Sequence, residues 1–377
     1  MEIETQRPTV ARIDLNGLAQ NLHSIQNFIG EGVRIMGVVK ANAYGHGAVE
    51  CSRRLEAEGV DWLGVATVEE AVELREAGIN SPILCFGSFW PGQEQILFDH
   101  DITAAVFDLE RAALLNSKAL QLKTPKNVHI KIDTGMGRVG VPFRDVAEWA
   151  EEFRRFENLH VEGLMTHFAA ADDLSDEYTN VQMRRFAEAV SAFHEKGFRP
   201  TILDMANSPG AVAHNDSRAT MIRVGGILYG LGDDVLPKGV AKPNLQPVMS
   251  LHAEIAFIKT VPAGESIGYG RTFVTTRESM IATLPIGYHD GLSRSLSNIG
   301  RVIVNGHYAP IVGRISMDWT TVDVTDVHGV GAGDTVTLIG AQGGATIKAE
   351  SIAAEIATIS YEVTCSIDPR VRRVYVS

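Results

Sequence analysis

Between residue 33 and about residue 231, short apolar runs recur eight times, as VRIMGVV, DWLGVA, PILCFG, ITAAVF, VHIKID, HVEGLMTH, TILDMAN and MIRVGGIL. Most are separated by stretches such as TVEEAVELREAG, FRDVAEWAEEFRRF and DEYTNVQMRRFAEAVSAFHEKG, whose apolar residues return near the helical period. Several neighbouring runs start only about 20 residues apart, room for one short crossover helix. Eight strands alternating with helices predict an α/β fold, a closed (β/α)8 TIM-type barrel over residues 11–242. The pattern is least regular around residues 91–99, where a helix is still expected.

From about residue 243 the texture changes to short β-branched strands with close-set glycines, and Asn305-Gly306 between RVIV and HYAPIV has the composition of a tight hairpin turn. Residues 243–377 are therefore read as a mostly β domain, with a helix returning in IKAESIAAEIATIS and KGVAKPNLQPV as the linker before it. The opening strand RPTVARID, and residues 1–10 with it, is expected to pair with that domain. A barrel uses about 250 residues, so 377 residues suit a barrel plus one smaller domain.

Lys and Arg total 34 against 46 Asp and Glu, a net charge of −12 that argues against a general binder of nucleic acid or anionic membrane. An anionic ligand would need a locally positive pocket. Cys51, Cys85 and Cys365 are odd in number and far apart, which suits reduced thiols that serve packing in a cytoplasm. The charged opening MEIETQRP and the lack of any apolar run near 18 residues point the same way, to a cytoplasmic chain with no membrane span.

In such a barrel, functional groups gather at the carboxyl ends of the strands. Lys40 ends the first run, and its loop adds Tyr44 and His46; Arg138 follows the fifth, His167 ends the sixth, Asn207 and Ser208 end the seventh, and Arg223 lies within the eighth. Taken singly, a lysine at a strand end extends into water and a lone histidine packs, so it is their convergence on one mouth that carries the argument. A desolvated lysine forms a Schiff base with an aldehyde readily, while arginine stays charged; lysine plus two arginines suits an anionic aldehyde cofactor. Ser208 is read as the N-cap of a short helix with Pro209 in its first turn, and Gly225-Gly226 follows on the eighth strand. Barrels often bind phosphate at these two loops, where bare glycine backbone can approach it.

Gly135-Met-Gly137-Arg-Val-Gly140 is a literal G-x-G-x-x-G after a strand, with Glu157 downstream, so a nicotinamide oxidoreductase is weighed. Val141-Pro142 interrupts where the fingerprint helix should begin, and the strand is the fifth of eight, so the dinucleotide reading is rejected. The 12 histidines include no HExxH and there is no CxxC, so no metal site is expected.

At these residues the chain resembles the alanine racemases, the barrel-plus-β-domain family of pyridoxal 5′-phosphate enzymes. VVKANAYGHG resembles the family's cofactor-lysine signature, and KIDTGMGRVG, THFAAAD, NSPG, IRVGGILYG, IGYGRTF, PIGYHDG, GRISMD and ISYEV follow in the family's order over almost the whole length. The resemblance implies a homodimer that interconverts L- and D-alanine, for cell-wall synthesis, with the cofactor carried on Lys40. It implies that phosphate is held by Tyr44, Ser208, Tyr361 and the backbone at Gly225 and Gly226, and that Arg223 faces the pyridine nitrogen. A guanidinium donates to that nitrogen without readily protonating it, which weakens the electron sink and favours proton return over transamination.

Racemisation needs proton transfer on both faces of the α-carbon, so two bases are required. The resemblance assigns them to Lys40 and to Tyr269 from the second subunit, with His167, bridging toward Arg223, easing deprotonation of the phenol. Arg138 is expected to contact the cofactor's phenolic oxygen and the substrate carboxylate, a site completed by backbone at Met317 of the second subunit. Lys131 and Arg138 on one strand would repel, and the family implies a carbamate on Lys131. Gly226 and Arg372 depart from the family's usual residues, which bears on packing and substrate range. Two alternatives stay open. One is a racemase of broader range, taking serine as well, although the bulk of Tyr361 and Tyr269 favours alanine; the other is a non-catalytic pyridoxal phosphate carrier of the same barrel type, which would lack the β domain.

Overall fold

The computed structural model describes residues 7–377; residues 1–6, part of the expected opening strand, lie outside the described residues. Strand β1 (Thr9–Asp14) precedes eight parallel strands, β2 (Arg34–Val38), β3 (Trp62–Val65), β4 (Ile83–Cys85), β5 (Ile102–Val106), β6 (Lys126–Asp133), β7 (Leu159–Met165), β8 (Ile202–Asp204) and β9 (Met221–Val224). These pair in the order β5-β4-β3-β2-β9-β8-β7-β6, and β5 pairs with β6 to close the barrel. Each of the eight apolar runs in the sequence coincides with one of these strands, with β6 and β7 starting two residues and one residue earlier. They are buried on both faces because helices cover the outside, which is why they read as continuous apolar runs. Inside, Met36, Trp62, Leu84, Ala105, Met165, Ile202 and Met221, one from each of seven barrel strands, form a separate buried cluster. The barrel is thus a packed core whose open chemistry must lie at its ends.

The crossover helices start where the sequence supplies caps. Thr67 and Glu70 form a capping box for Val68–Glu76, and Asp108 caps Leu109–Leu122. The irregular region before β5 holds a short helix, Glu94–Asp99.

Residues 238–248 carry no helix or strand. Beyond them a sheet runs in the order His307–Pro310, Arg301–Val304, Thr335–Gln342, Met249–Glu254, β1 and Arg372–Val376. β1 is antiparallel to Met249–Glu254 and parallel to Arg372–Val376, so the start of the described chain is clamped into the carboxy-terminal sheet. Asp14, which ends β1, then caps the helix Leu15–Ile29 leading to the barrel. Asn305 and Gly306 both have positive φ, 49° and 79°, the geometry of a two-residue hairpin turn between Arg301–Val304 and His307–Pro310. A three-stranded sheet of Phe257–Val261, Ser279–Leu284 and Thr320–Asp323 and a small hairpin of Ser266–Ile267 with Phe273–Val274 complete this half. The helix Ala349–Glu355 is followed by a second, Ser360–Cys365. Cys51 and Cys85 are buried, but Cys365 corrects the packing expectation: it is exposed, at the end of its helix. Among the described residues no helix is long and apolar enough to cross a membrane.

Candidate active site

The strand β2, which leads to Lys40, is followed by an unusual turn. Ala41, Asn42, Ala43 and Tyr44 are all left-handed, with φ of 53° to 54°. Only glycine visits this region freely, and each L-residue in it costs about 1–2 kcal/mol. The turn is held from outside. Glu70 accepts from the Ala41 N–H at 2.7 Å while also accepting from Ala66 at the start of its own helix. Asn42 Oδ1 accepts from Ala48 N–H at 2.7 Å, and His46 Nδ1 meets the Ala43 and Tyr44 carbonyls at 2.9 and 3.0 Å. Two carbonyl partners require a proton on Nδ1, and burial drives the His46 pKa down to about 4, so this ring is a neutral clamp.

The clamp turns Lys40 and Tyr44 into a cavity of about 600 Å³ at the carboxyl ends of the barrel strands, which Lys131 on β6, Arg138 after it and His167 after β7 also line. Asn207, Ser208, Arg223, Gly225 and Tyr361 line it too. The structure therefore brings together the residues that the strand-end rule selected, except His46, which stays buried behind the turn as its clamp. Burial lowers the pKa of Lys40, and the Arg138 guanidinium lowers it further, so its amine is more readily neutral than a surface lysine's. Lys131 is pushed down strongly by burial and by Arg223. His167 falls to about 2, first through burial and then through Arg223. Arg223 Nη2 lies 3.3 Å from His167 Nδ1, and since arginine can only donate, Nδ1 must accept and the ring proton must sit on Nε2. The same Nη2 donates to the Thr166 carbonyl at 2.8 Å.

Opposite lies a group of hydroxyls over bare backbone. The short helix Ser208–Ala213 is capped by Asn207, whose Oδ1 accepts from Gly210 N–H at 3.0 Å, and not by Ser208 as the sequence suggested. Asparagine and serine cap equally well, and the chain uses the earlier one. Ser208 is thereby left free to accept from the Gly225 N–H at 3.1 Å. A Cβ on Gly225 would stand 2.3 Å from the Tyr44 hydroxyl, and one on Gly226 would stand 2.4 Å from the Tyr361 hydroxyl. Tyr44 and Tyr361 meet edge to face at 5.1 Å, and burial raises both phenol pKa values, so both remain O–H donors. Asp234 holds the Tyr361 helix by accepting from the Ser360 N–H at 2.6 Å and its hydroxyl at 2.9 Å.

Gly226, next along the chain from Gly225, does not line the cavity, and two further selected residues lie well away from it. Tyr269 is 72% exposed at the tip of the small hairpin, and Met317 is 52% exposed; neither lines the cavity within one chain. The glycine motif forms a loop in which Asp133 accepts from Gly135 and Gly137, followed by the short Val141–Pro142 strand where a dinucleotide helix would start. The sequence reading passed over Asp204, the last residue of β8, which is fully buried and in ionic contact with Arg223. Applied to the end of β8 itself and not only to the NSPG segment after it, the strand-end rule selects it. It also passed over Gln182, whose amide donates to Thr134 Oγ1 at 3.1 Å and the His167 carbonyl at 3.0 Å and accepts from Ala169 N–H at 2.9 Å, tying two site loops to one helix. A polar residue inside an amphipathic helix carries no sequence signal for such a role.

Two family models match consecutive parts of the chain, the alanine racemase N-terminal domain at residues 13–233 and the alanine racemase C-terminal domain at residues 248–375. The chain belongs to the alanine racemase family. It is 43% identical to an alanine racemase of Geobacter sp. (strain M21) across 98% of this chain and 99% of the relative. An alanine racemase of Methanococcus maripaludis is 41% identical over 98% of both chains. Among solved structures, the alanine racemase of Clostridium difficile 630 superposes with a TM-score of 0.91 at 39% identity, covering 99% of this chain and 97% of that one. The Bartonella henselae alanine racemase, solved with covalently bound pyridoxal phosphate, superposes with a TM-score of 0.88 at 29% identity, covering 98% of this chain and 100% of that one. Members of the alanine racemase family are pyridoxal phosphate enzymes.

Proposed function

We propose that this chain interconverts L-alanine and D-alanine, with pyridoxal 5′-phosphate held on Lys40. The observation that carries the reading is the cavity itself: an amine whose proton is loosened by burial and Arg138 faces hydroxyls gathered over a strip of backbone that bears no Cβ. The residues fit the group. Three hydroxyls, on Tyr44, Ser208 and Tyr361, and the bare backbone of Gly225 and Gly226 suit a phosphate, Asn207 stands at the head of the same helix, and the Arg223 guanidinium suits a ring nitrogen. When bound, the cofactor supplies the electron sink that makes the α-proton of an amino acid removable.

In this reading Arg138 orients the substrate carboxylate, and Lys40 takes or returns the proton on one face. The other face is served by Tyr269 of a second subunit, whose Met317 backbone completes the carboxylate site. The motivating fact is exposure: an isolated chain leaves this tyrosine in water, 72% exposed and outside the cavity. The neutral His167, its Nδ1 engaged by Arg223, keeps an Nε2–H that can donate to the phenolate of that tyrosine and so ease its deprotonation. A carbamate on Lys131 balances the floor of the cavity. The buried Lys131 amine lies among two guanidiniums, Arg223 and Arg138, and two carboxylates, Asp204 and Asp133, and a carbamate would replace its positive charge with a negative one toward the guanidiniums. The low proton affinity of Lys131 leaves the free amine that reaction with carbon dioxide requires, with release of one proton.

We also divide the chain at residues 242 and 243 into barrel and β domain, with β1 lent to the second, and assign the enzyme to the cytoplasm, where three unpaired thiols are at home. The test is direct. The purified protein is expected to be yellow and to convert either enantiomer of alanine to the racemate, with kcat/KM for alanine above that for serine. Lys40→Ala should be colourless and inactive. A colourless wild-type protein that pyridoxal phosphate does not activate, or equal efficiency with serine, overturns the respective claim.

A further inference from the structure

We propose that Arg370 is a positioning residue for substrate binding: anchored on the buried Asp290, it holds Asp318 and so fixes the adjacent Met317 backbone that one subunit lends to the other's site. The inference rests on the reading that this backbone completes the substrate carboxylate site. Asp290 has no exposed surface, and its carboxylate meets two arginines. Arg370 Nε donates to Oδ1 at 2.7 Å, Arg7 Nη1 donates to Oδ2 at 3.2 Å, and the Gly287 N–H donates to Oδ2 at 2.8 Å. The same Arg370 guanidinium also reaches outward, where Nη2 donates to Asp318 Oδ1 at 2.8 Å. A guanidinium is planar with its donors in a rigid fork, so anchoring Nε on a buried acid fixes where the partner of Nη2 can stand.

The residues before Asp318 are held by the loop that Asp290 closes. The Tyr288 N–H donates to the Ser316 carbonyl at 3.0 Å and the His289 N–H to the Met317 carbonyl at 3.1 Å. A Cβ on Gly287 would lie 2.3 Å from the Ser316 oxygen and 2.4 Å from the Met317 oxygen, so the two backbones touch. Ser316 closes a tight turn, its N–H donating to the Trp319 carbonyl at 3.0 Å and its Oγ accepting from the Trp319 N–H at 3.1 Å. The Met317 carbonyl is thus engaged, while among the described residues its N–H has no partner. That leaves a donor on an exposed residue, held on one side by the Tyr288 loop and on the other by Arg370 through Asp318. Both members of the outer pair are partly exposed, and such pairs add little stability, so the pair matters for where the donor points.

The purified holoenzyme tests this with two amines, alanine and ethylamine, which lacks the carboxylate. Asp318→Ala removes the outer contact and leaves Asp290 with both arginines; Arg370→Lys replaces the fork by a point charge that cannot hold two carboxylates in one plane. Each should raise KM for alanine about tenfold, the loss of one hydrogen bond to a charged group, with kcat within about threefold of wild type. Ethylamine binding, followed by the absorbance of the cofactor, should stay within about twofold, and Asp318→Glu should return KM toward wild type. Unchanged KM in both variants, equal weakening of alanine and ethylamine, or a Glu variant as weak as the Ala variant overturns the proposal. If Arg370→Lys does not fold, Asp318→Ala is read alone, and failure of both to fold also overturns it, since a structural role then suffices. Met317→Pro removes the N–H itself and keeps the carbonyl. If it leaves KM for alanine unchanged, the reading of Met317 falls and the clamp with it; if it raises KM while Asp318→Ala does not, only the role of Arg370 falls.

Discussion

A Cβ at position 226 would lie 2.0 Å from Cε1 of Tyr361, and one at 225 would lie 2.3 Å from the Tyr44 hydroxyl. Both rings belong to the group we assign to phosphate, so at these two residues the absence of a side chain is what lets two phenols reach the strand. Gly226→Ala should push the Tyr361 ring aside; overpacking of this kind costs about 1–3 kcal/mol. It should appear as weaker binding of pyridoxal phosphate in a spectroscopic titration, with the fold intact by circular dichroism. Unchanged affinity would show that the tyrosine yields at no cost. At Lys40 the same scale gives a different lesson, because burial and Arg138 act together on one amine. Arg138→Gln should therefore raise the pKa of that amine and shift the alkaline pH profile of aldehyde binding upward; an unshifted profile would leave burial as the whole cause.

The left-handed turn from Ala41 to Tyr44 is the element that no periodicity announces, since none of its residues is a glycine. Its geometry comes from Glu70, Asn42 and His46 acting from outside, and tertiary hydrogen bonds leave no local trace in a sequence. The barrel strands were legible because strands buried on both faces are apolar throughout, and the hairpin at Asn305-Gly306 because few residue pairs tolerate two positive φ angles. Asp204 was obscure for the opposite reason: a carboxylate inside an apolar run has meaning only once Arg223 is known to stand beside it. Ala41→Gly should relieve strain at an exposed position and stabilise the fold by about 1 kcal/mol in denaturant unfolding; a loss of stability would mean that no strain is stored there. His46 gives this element a pH dependence. Its folded pKa, about 4, lies below the ordinary 6.5, so the unfolded chain takes up the proton first as pH falls. Its contribution is complete above about pH 6.5 and is lost toward pH 4 at about 1.4 kcal/mol per pH unit, on the order of 3 kcal/mol in all. Unfolding free energy measured between pH 7.5 and 4.5 should fall less steeply in His46→Gln than in wild type, and parallel slopes would exclude His46 as a source.

Across the whole molecule, the groups we assign to the chemistry are divided between two halves that one chain does not bring together. Lys40 lines the barrel cavity, whereas Tyr269 stands on a hairpin tip of the β domain, 72% exposed, with Met317 exposed as well. Within one chain the exposed Tyr269 reaches no group of the cavity, and a second copy related by twofold symmetry is what could bring it there. If each site draws Lys40 from one subunit and Tyr269 from the other, Tyr269→Phe should bind the cofactor normally yet lose about 10² to 10⁴ in proton exchange, mainly with one enantiomer, as read by deuterium uptake from solvent. Lys40→Ala should be inactive for a different reason, having lost the amine. Mixed after mild dissociation and reassociation, the two inactive proteins form mixed dimers in which one site has both residues and the other has neither. At full exchange half the dimers are mixed, so about a quarter of wild-type activity should return, a value set by twofold symmetry alone. If both groups acted from the same chain, every site in the mixture would lack one of them and no activity could return, however complete the exchange.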